Sequence, residues 1–269
     1  MKDMGTKLKK DSFLGHLEAL RWVLVKCFIG IVIFTIIALV YSNFIFDEIL
    51  FAPKNIDFIS YKWYCSLINY LNLDPSSCLQ GFEFEIQNRK MEGQLTIMIW
   101  TSLTLGLILS FPWILYQFWN FIEPALYKNE KKYSIYFILL TSLLFFIGVL
   151  FGYFIIVPLS INFLMNFEIS SVVTNQIDIN SYISLVRTTL LASGIVFVLP
   201  VVILTLHRLG IISTDLLKNY RKYAYVIILI ASAVITPPDI LSQIILVIPL
   251  VILFEGSIFF SKFIKVKLV

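Results

Sequence analysis

Charge, histidine and the usual signatures of catalysis are scarce in this chain. Only 14% of its 269 residues are Asp, Glu, Lys or Arg, and the two histidines, His16 and His207, each sit at the edge of an apolar run. No H-E-x-x-H, G-x-S-x-G or P-loop pattern occurs, so zinc hydrolysis, a nucleophile-elbow serine and phosphate-cradling chemistry all lack their residues. The apolar runs hold almost no ionisable groups at their centres and show no internal repeat. Both features argue against a secondary transporter, whose substrate sites need polar groups and broken helices at corresponding mid-membrane positions. The three cysteines cannot build a disulfide framework. Cys27 lies inside an apolar run, while Cys65 and Cys78 share a polar loop with twelve residues between them. They can form one bond only if that loop faces an oxidising compartment and brings their Cα atoms close enough, which the sequence leaves open.

Apolar surface is present in excess. At 59% hydrophobic residues and a mean hydropathy of +0.88, the chain carries more than one globular core could bury in water. The apolar segments run approximately Trp22–Tyr41, Leu95–Phe118, Ile135–Val157, Leu185–Leu206, Tyr223–Ile235 and Ile240–Phe254. They lack the period-two alternation of barrel strands. Backbone groups in hydrocarbon must be bonded within the segment or in a closed barrel, so the spacing predicts helices. The expected fold class is all-α: one polytopic membrane domain over 1–269, with six transmembrane helices of which the last two are short. No A-x-A pattern follows the first run, which therefore reads as an uncleaved span rather than a signal peptide.

Lysine and arginine predict the orientation. With the N-terminus inside, only Lys54, Lys62, Arg89, Lys90 and Arg187 of the 21 basic residues fall outside, and four of these belong to the long loop 42–94. The positive-inside rule then puts both termini in the cytoplasm and makes loop 42–94 an outer cap. The fifth segment is 13 residues, only ~20 Å at 1.5 Å per residue, too short for an undistorted bilayer. Thr236-Pro237-Pro238-Asp239 breaks the chain before the sixth, and such a hairpin thins the bilayer around it.

The remaining polar residues gather at the helix ends. Glu18 and Arg21 lie three apart on one helical face, the spacing of an interfacial salt bridge. Glu123 and Glu130 stand beside Lys128, Lys131 and Lys132. Asp239 is placed to cap the following helix, with Gln243 one turn on; Gln243 and Glu255 interrupt an otherwise apolar hairpin and should find partners in neighbouring helices.

Four stretches in order, HLEALR (16–21), FPWILYQFWNFIEPALYKNEKK (111–132), FGYFIIVPLSINFL (151–164) and TPPDILSQIILVIPLVILFE (236–255), resemble the TatC family over almost the whole chain. The resemblance implies the core subunit of a twin-arginine translocase in a bacterial cytoplasmic (inner) membrane. Such a protein is not an enzyme, and it needs no cofactor, metal or nucleic acid. It binds Arg-Arg signal peptides of folded cargo, recruits TatA/TatB-type single-span proteins and further copies of itself, and uses the proton-motive force. By the same resemblance Glu18, Arg21 and Glu130 would read the signal peptide, and Pro53, Asp239 and Gln243 would serve partner assembly. Carboxylates suit that reading because they hold guanidinium forks through bidentate, charge-assisted bonds that lysine cannot match. Two positions depart from the family pattern. Ala19 stands where a glutamate is usual, with Glu18 the nearest acid, and Val198 replaces the glutamate two residues before Pro200.

Overall fold

The computed structural model describes residues 13–55, 57–70, 85–122, 134–167, 170, 176–208, 210, 212–236 and 240–262. The helices of six residues or more are α1 Phe13–Val40, α2 Ile59–Tyr70, α3 Gly93–Ile122, α4 Ser134–Phe151, α5 Val157–Asn166, α6 Ile179–Phe197, α7 Leu199–Arg208, α8 Thr214–Asn219, α9 Arg221–Ile235 and α10 Ile240–Ser261. A π-helical turn, Gly152–Ile156, joins α4 to α5 without a break, and α6 and α7 meet at Val198 just before Pro200. Five helical stretches are long and apolar enough to span: Gly15–Val40, Gly93–Ile122, Phe137–Asn166, Ile179–Arg208 and Ser242–Ser261. As the sequence predicts, the remaining segment, α9, is too short. Its 15 residues cover about 22 Å. The last helix differs from expectation. It continues past Phe254 to Ser261, because Glu255 is accommodated within it rather than ending it.

The chain divides into two compact units, residues 1–42 with 98–142, and residues 43–97 with 143–269. In the first unit α1 buries a narrow stripe, Val23, Cys27, Gly30 and Ala38, at helical spacing, and leaves most of its other apolar side chains exposed, as a lipid-facing span does. Two glycines bring α1 and α3 close. A Cβ on Gly30 would fall 2.4 Å from the Trp113 ring, and one on Gly106 would fall 2.8 Å from the Thr35 backbone nitrogen. The Trp113 indole N–H donates to the Lys26 carbonyl across the same contact, at 3.1 Å.

In the second unit the segment 45–55 is neither regular helix nor strand. It runs as a π turn, Ile45–Leu50, and a 3-10 turn, Ala52–Lys54, and so leaves backbone carbonyls without helical donors. Three tyrosine hydroxyls supply donors. Tyr153 donates to Ile49 at 2.7 Å, Tyr182 to Leu50 at 2.9 Å and Tyr61 to Pro53 at 2.8 Å. Burial pushes the Tyr61 phenol up to about 12, which keeps it a donor at any physiological pH. The segment after α2 pairs briefly with the one before α6, as Ile86 beside Ile177 and Gln87 beside Asp178 in a parallel two-stranded ladder, and Asp178 then caps α6 by accepting from the Asn180 N–H at 2.8 Å. Deeper in this unit Ile156, Phe197, Leu217, Ile228, Leu246, Leu250, Phe254 and Ile258 form one core cluster.

Gly106→Ala is expected to lower stability by about 1–3 kcal/mol through backbone displacement, and Tyr182→Phe by about 1 kcal/mol through one lost hydrogen bond. Thermal unfolding of the detergent-solubilised protein checks both, and an unchanged midpoint in Gly106→Ala would contradict the close approach of α1 and α3.

Candidate functional site

Glu18 and Arg21 occupy the first turns of α1, ahead of its buried stripe. The expected ion pair between them is absent among the described residues, and both side chains are exposed. An exposed i,i+3 pair gains little in water and must order two long side chains, so the two groups stand apart, open to an outside partner. Ala19 is exposed beside them. Glu123, Glu130 and Asp239 lie outside the described residues, and so does Cys78. Cys65 is disulfide-bonded and Cys27 is free and buried.

The structure gives the assembly candidates definite surroundings. Pro53 is buried, and its carbonyl is the acceptor for Tyr61. Gln243, half-buried on the first turn of α10, donates from Nε2 to the Leu229 carbonyl at 3.2 Å, which ties α10 to the middle of α9. This is the neighbouring-helix partner its place in an apolar hairpin predicts.

The same expectation is met for Glu255. Its Oε2 lies 2.9 Å from Arg221 Nη2, and its Oε1 accepts from the Tyr225 hydroxyl at 2.5 Å. Arg221 and Tyr225 are four apart on α9 and so share a face; a carboxylate on α10 engages both. The carboxylate and the guanidinium are each only partly exposed, at 34% and 42%, where charge-assisted bonds outweigh those of a fully solvated pair. Sequence reasoning singled out Glu255 without its partners, although the Arg-x-x-x-Tyr spacing was there to be read. His207, at the end of α7, was read only as an edge residue. Its ring is 2% exposed, with Nδ1 2.8 Å from the Ile212 carbonyl and Nε2 2.9 Å from the Ser261 carbonyl. The turn between them needs Gly210, whose φ of 74° disfavours a side chain. Val198 is half-buried at the α6–α7 break and donates its N–H to Ile195, so no polar side chain marks that position.

Among the described residues no group of three or more His, Cys, Asp or Glu could hold a metal ion. The polar residues join helices to one another, or stand exposed at a helix end, and the chain is of the class of polytopic helical membrane proteins. The comparisons with known proteins are specific. The model of the family described as Sec-independent protein translocase protein (TatC) matches residues 15–249. The Sec-independent protein translocase protein TatC of Blattabacterium sp. subsp. Periplaneta americana is 43% identical, over 98% of this chain and 100% of that protein. That of Aquifex aeolicus is 36% identical, over 92% and 93%. A crystal structure of the twin-arginine translocase receptor TatC in DDM superposes with a TM-score of 0.72 at 35% identity, over 91% of this chain and 99% of that one. The chain belongs to the TatC family. It is therefore a multi-pass membrane component of a bacterial Sec-independent protein translocase, a transport protein rather than an enzyme.

Replacing Glu255 with Gln is expected to cost about 1–2 kcal/mol, and a double-mutant cycle with Arg221→Met should show coupling of about 1 kcal/mol. Denaturant unfolding of the purified protein measures both, and strictly additive losses would mean that the ion pair contributes nothing.

Proposed function

We propose that this chain is the signal-reading core of a twin-arginine translocase: it binds Arg-Arg signal peptides of folded proteins at the cytoplasmic face and then recruits single-span partners, driven by the proton-motive force. The observation that carries the reading is the exposed Glu18 beside Arg21, unpaired with each other at the start of α1 within the family-matched stretch HLEALR. A carboxylate free of an internal cation can take up a guanidinium from outside. Glu130 supplies the second acid in this proposal. Each bidentate carboxylate contact adds geometry that an ammonium cannot reproduce. Apolar burial of the signal peptide's hydrophobic stretch contributes the rest of the affinity, and the arginines set its register.

The proposal places both termini in the cytoplasm and the segment 42–94 outside, following the excess of Lys and Arg in the other loops. Asp239 and Gln243, at the outer turn of the last hairpin, and Pro53 in the cap then meet TatA/TatB-type single-span proteins and further copies of this chain. Gln243 already bonds Leu229, so a partner reaching this place would meet a hairpin held in one arrangement.

Photocrosslinking to a signal peptide in its Arg-Arg and Lys-Lys forms tests the reading. Capture of the Arg-Arg form should exceed the Lys-Lys form about tenfold, a difference of ~1.4 kcal/mol, and Glu130→Gln should reduce that ratio. Equal capture throughout would refute signal reading by this chain. Asp239→Asn and Gln243→Leu should retain signal capture but lose co-purification of the single-span partners; a variant that loses signal capture instead would move the hairpin from assembly to recognition.

A further inference from the structure

The buried ring of His207 faces a hydrogen-bond acceptor at each of its nitrogens. Nδ1 lies 2.8 Å from the Ile212 carbonyl and Nε2 lies 2.9 Å from the Ser261 carbonyl. A carbonyl oxygen can only accept, whereas a neutral imidazole has one N–H and one bare lone pair. Either neutral tautomer therefore turns a lone pair on a carbonyl oxygen within hydrogen-bond distance. We propose that His207 holds both ring protons at neutral pH, as an imidazolium, and so acts as a proton-controlled latch between the end of α7, the turn into α8 and the end of α10.

The fold brings both acceptors to the ring. After α7 the Gly210 N–H donates to the His207 carbonyl at 3.0 Å and the Ile212 N–H to the Leu206 carbonyl at 3.4 Å. That turn carries the Ile212 carbonyl back to a ring five residues earlier. Ser261 is the last residue of α10, so no residue further along the helix donates to its carbonyl. Its hydroxyl is engaged elsewhere, with the Ile258 carbonyl at 2.8 Å and the Thr214 hydroxyl at 3.3 Å. Thr214 Oγ1 is 3.5 Å from Nε2, at the limit of hydrogen-bond range, and leaves the Ser261 carbonyl facing the same nitrogen.

Burial works against a charged ring, and so do Arg208 and Lys262, the like charges next in the chain to His207 and Ser261. Asp215 on α8 is engaged by Lys218 at 3.1 Å, and Glu255 on α10 by Arg221 of α9 at 2.9 Å. The carboxylates on these elements are thus taken up elsewhere. Two effects favour the second proton. It supplies the missing donor, and charge-assisted bonds to carbonyls are stronger than neutral ones. It also stands where two helices end, since α7 stops at Arg208 and α10 at the carbonyl that the ring bonds. Helix C-termini carry partial negative charge and favour a cation. The latch is complete while the ring carries both protons and is lost as pH rises through the range in which it gives one up. A bare nitrogen then opposes a carbonyl oxygen, and one partner must move away. Leu217 on α8 and Ile258 on α10 belong to the core cluster, so helix ends loosen while the unit stays folded.

In the full-length protein with His16→Gln and a histidine-free affinity tag, His207 is the only histidine. Nitrogen NMR of the isotope-labelled ring in lipid nanodiscs reads its protonation with the site unaltered. At about pH 7.5, where an ordinary imidazole is roughly nine-tenths neutral, two protonated ring nitrogens are expected in more than half of the molecules. One protonated nitrogen in most molecules, in either tautomer, would overturn the proposal, as would a ring that keeps both protons beyond about pH 9. Hydrogen exchange, corrected for the intrinsic pH dependence of each amide, reads the latch over the range in which the spectra show the ring deprotonate. Amides in 212–217 and 258–262 should lose protection by about threefold or more while those of α6 hold, and His207→Gln, which cannot titrate, should abolish that dependence on pH. Protection indifferent to the ring's proton, or the same loss in His207→Gln, would sink the latch.

Discussion

A carbonyl that a helix does not satisfy must be satisfied by something else when water is absent, and that constraint shapes this protein. Where α1 gives way to irregular turns, Tyr61, Tyr153 and Tyr182 send hydroxyls to Pro53, Ile49 and Leu50. Trp113 reaches the Lys26 carbonyl and Gln243 the Leu229 carbonyl, which lie inside helices and so gain a second bond that ties one segment to another. In each case a side chain from one segment donates to the backbone of another. The irregular segment 45–55 is therefore held by donors on three different helical elements.

Ion pairing plays a smaller and more local part. Charged residues within the spans are few, and the structure explains Glu255 among them, because a guanidinium and a phenol on the preceding helix engage it. Membership of the TatC family gives this arrangement its setting. By the resemblance read from the sequence, Ala19 and Val198 stand where a glutamate is usual, and neither residue is polar. The acid next to Ala19 is Glu18, one residue earlier and so about 100° around the helix. A peptide held there would approach α1 from a different side.

Hydropathy alone made the spanning helices legible, since runs of this length have few alternatives in lipid. The short fifth segment could also be read, from the distance between Tyr223 and the Pro237-Pro238 break. Helix ends were harder. Glu255 looked like a terminus because a carboxylate in an apolar run is costly unless paired, and its pairing depends on how α9 faces α10. The π turn at Gly152–Ile156 left no mark in composition, nor did the tyrosine bonds, which join residues 8 to 132 positions apart. Glu18 and Arg21 show the opposite error: ideal spacing suggested a bond that solvent exposure makes unprofitable.

The 15 residues of α9 have a consequence for the lipid as well as for the chain. Were α9 to cross the bilayer as the six-span reading has it, a helix of about 22 Å in a core of ~30 Å would leave a mismatch of roughly 8 Å, at a cost of fractions of a kcal/mol per Å to the surrounding lipid. That energy would reside in a compressed rim of lipid. The length of α9, fixed between its start at Arg221 and the Pro237-Pro238 pair in the sequence, would then be felt by the lipid around it as well as by the chain.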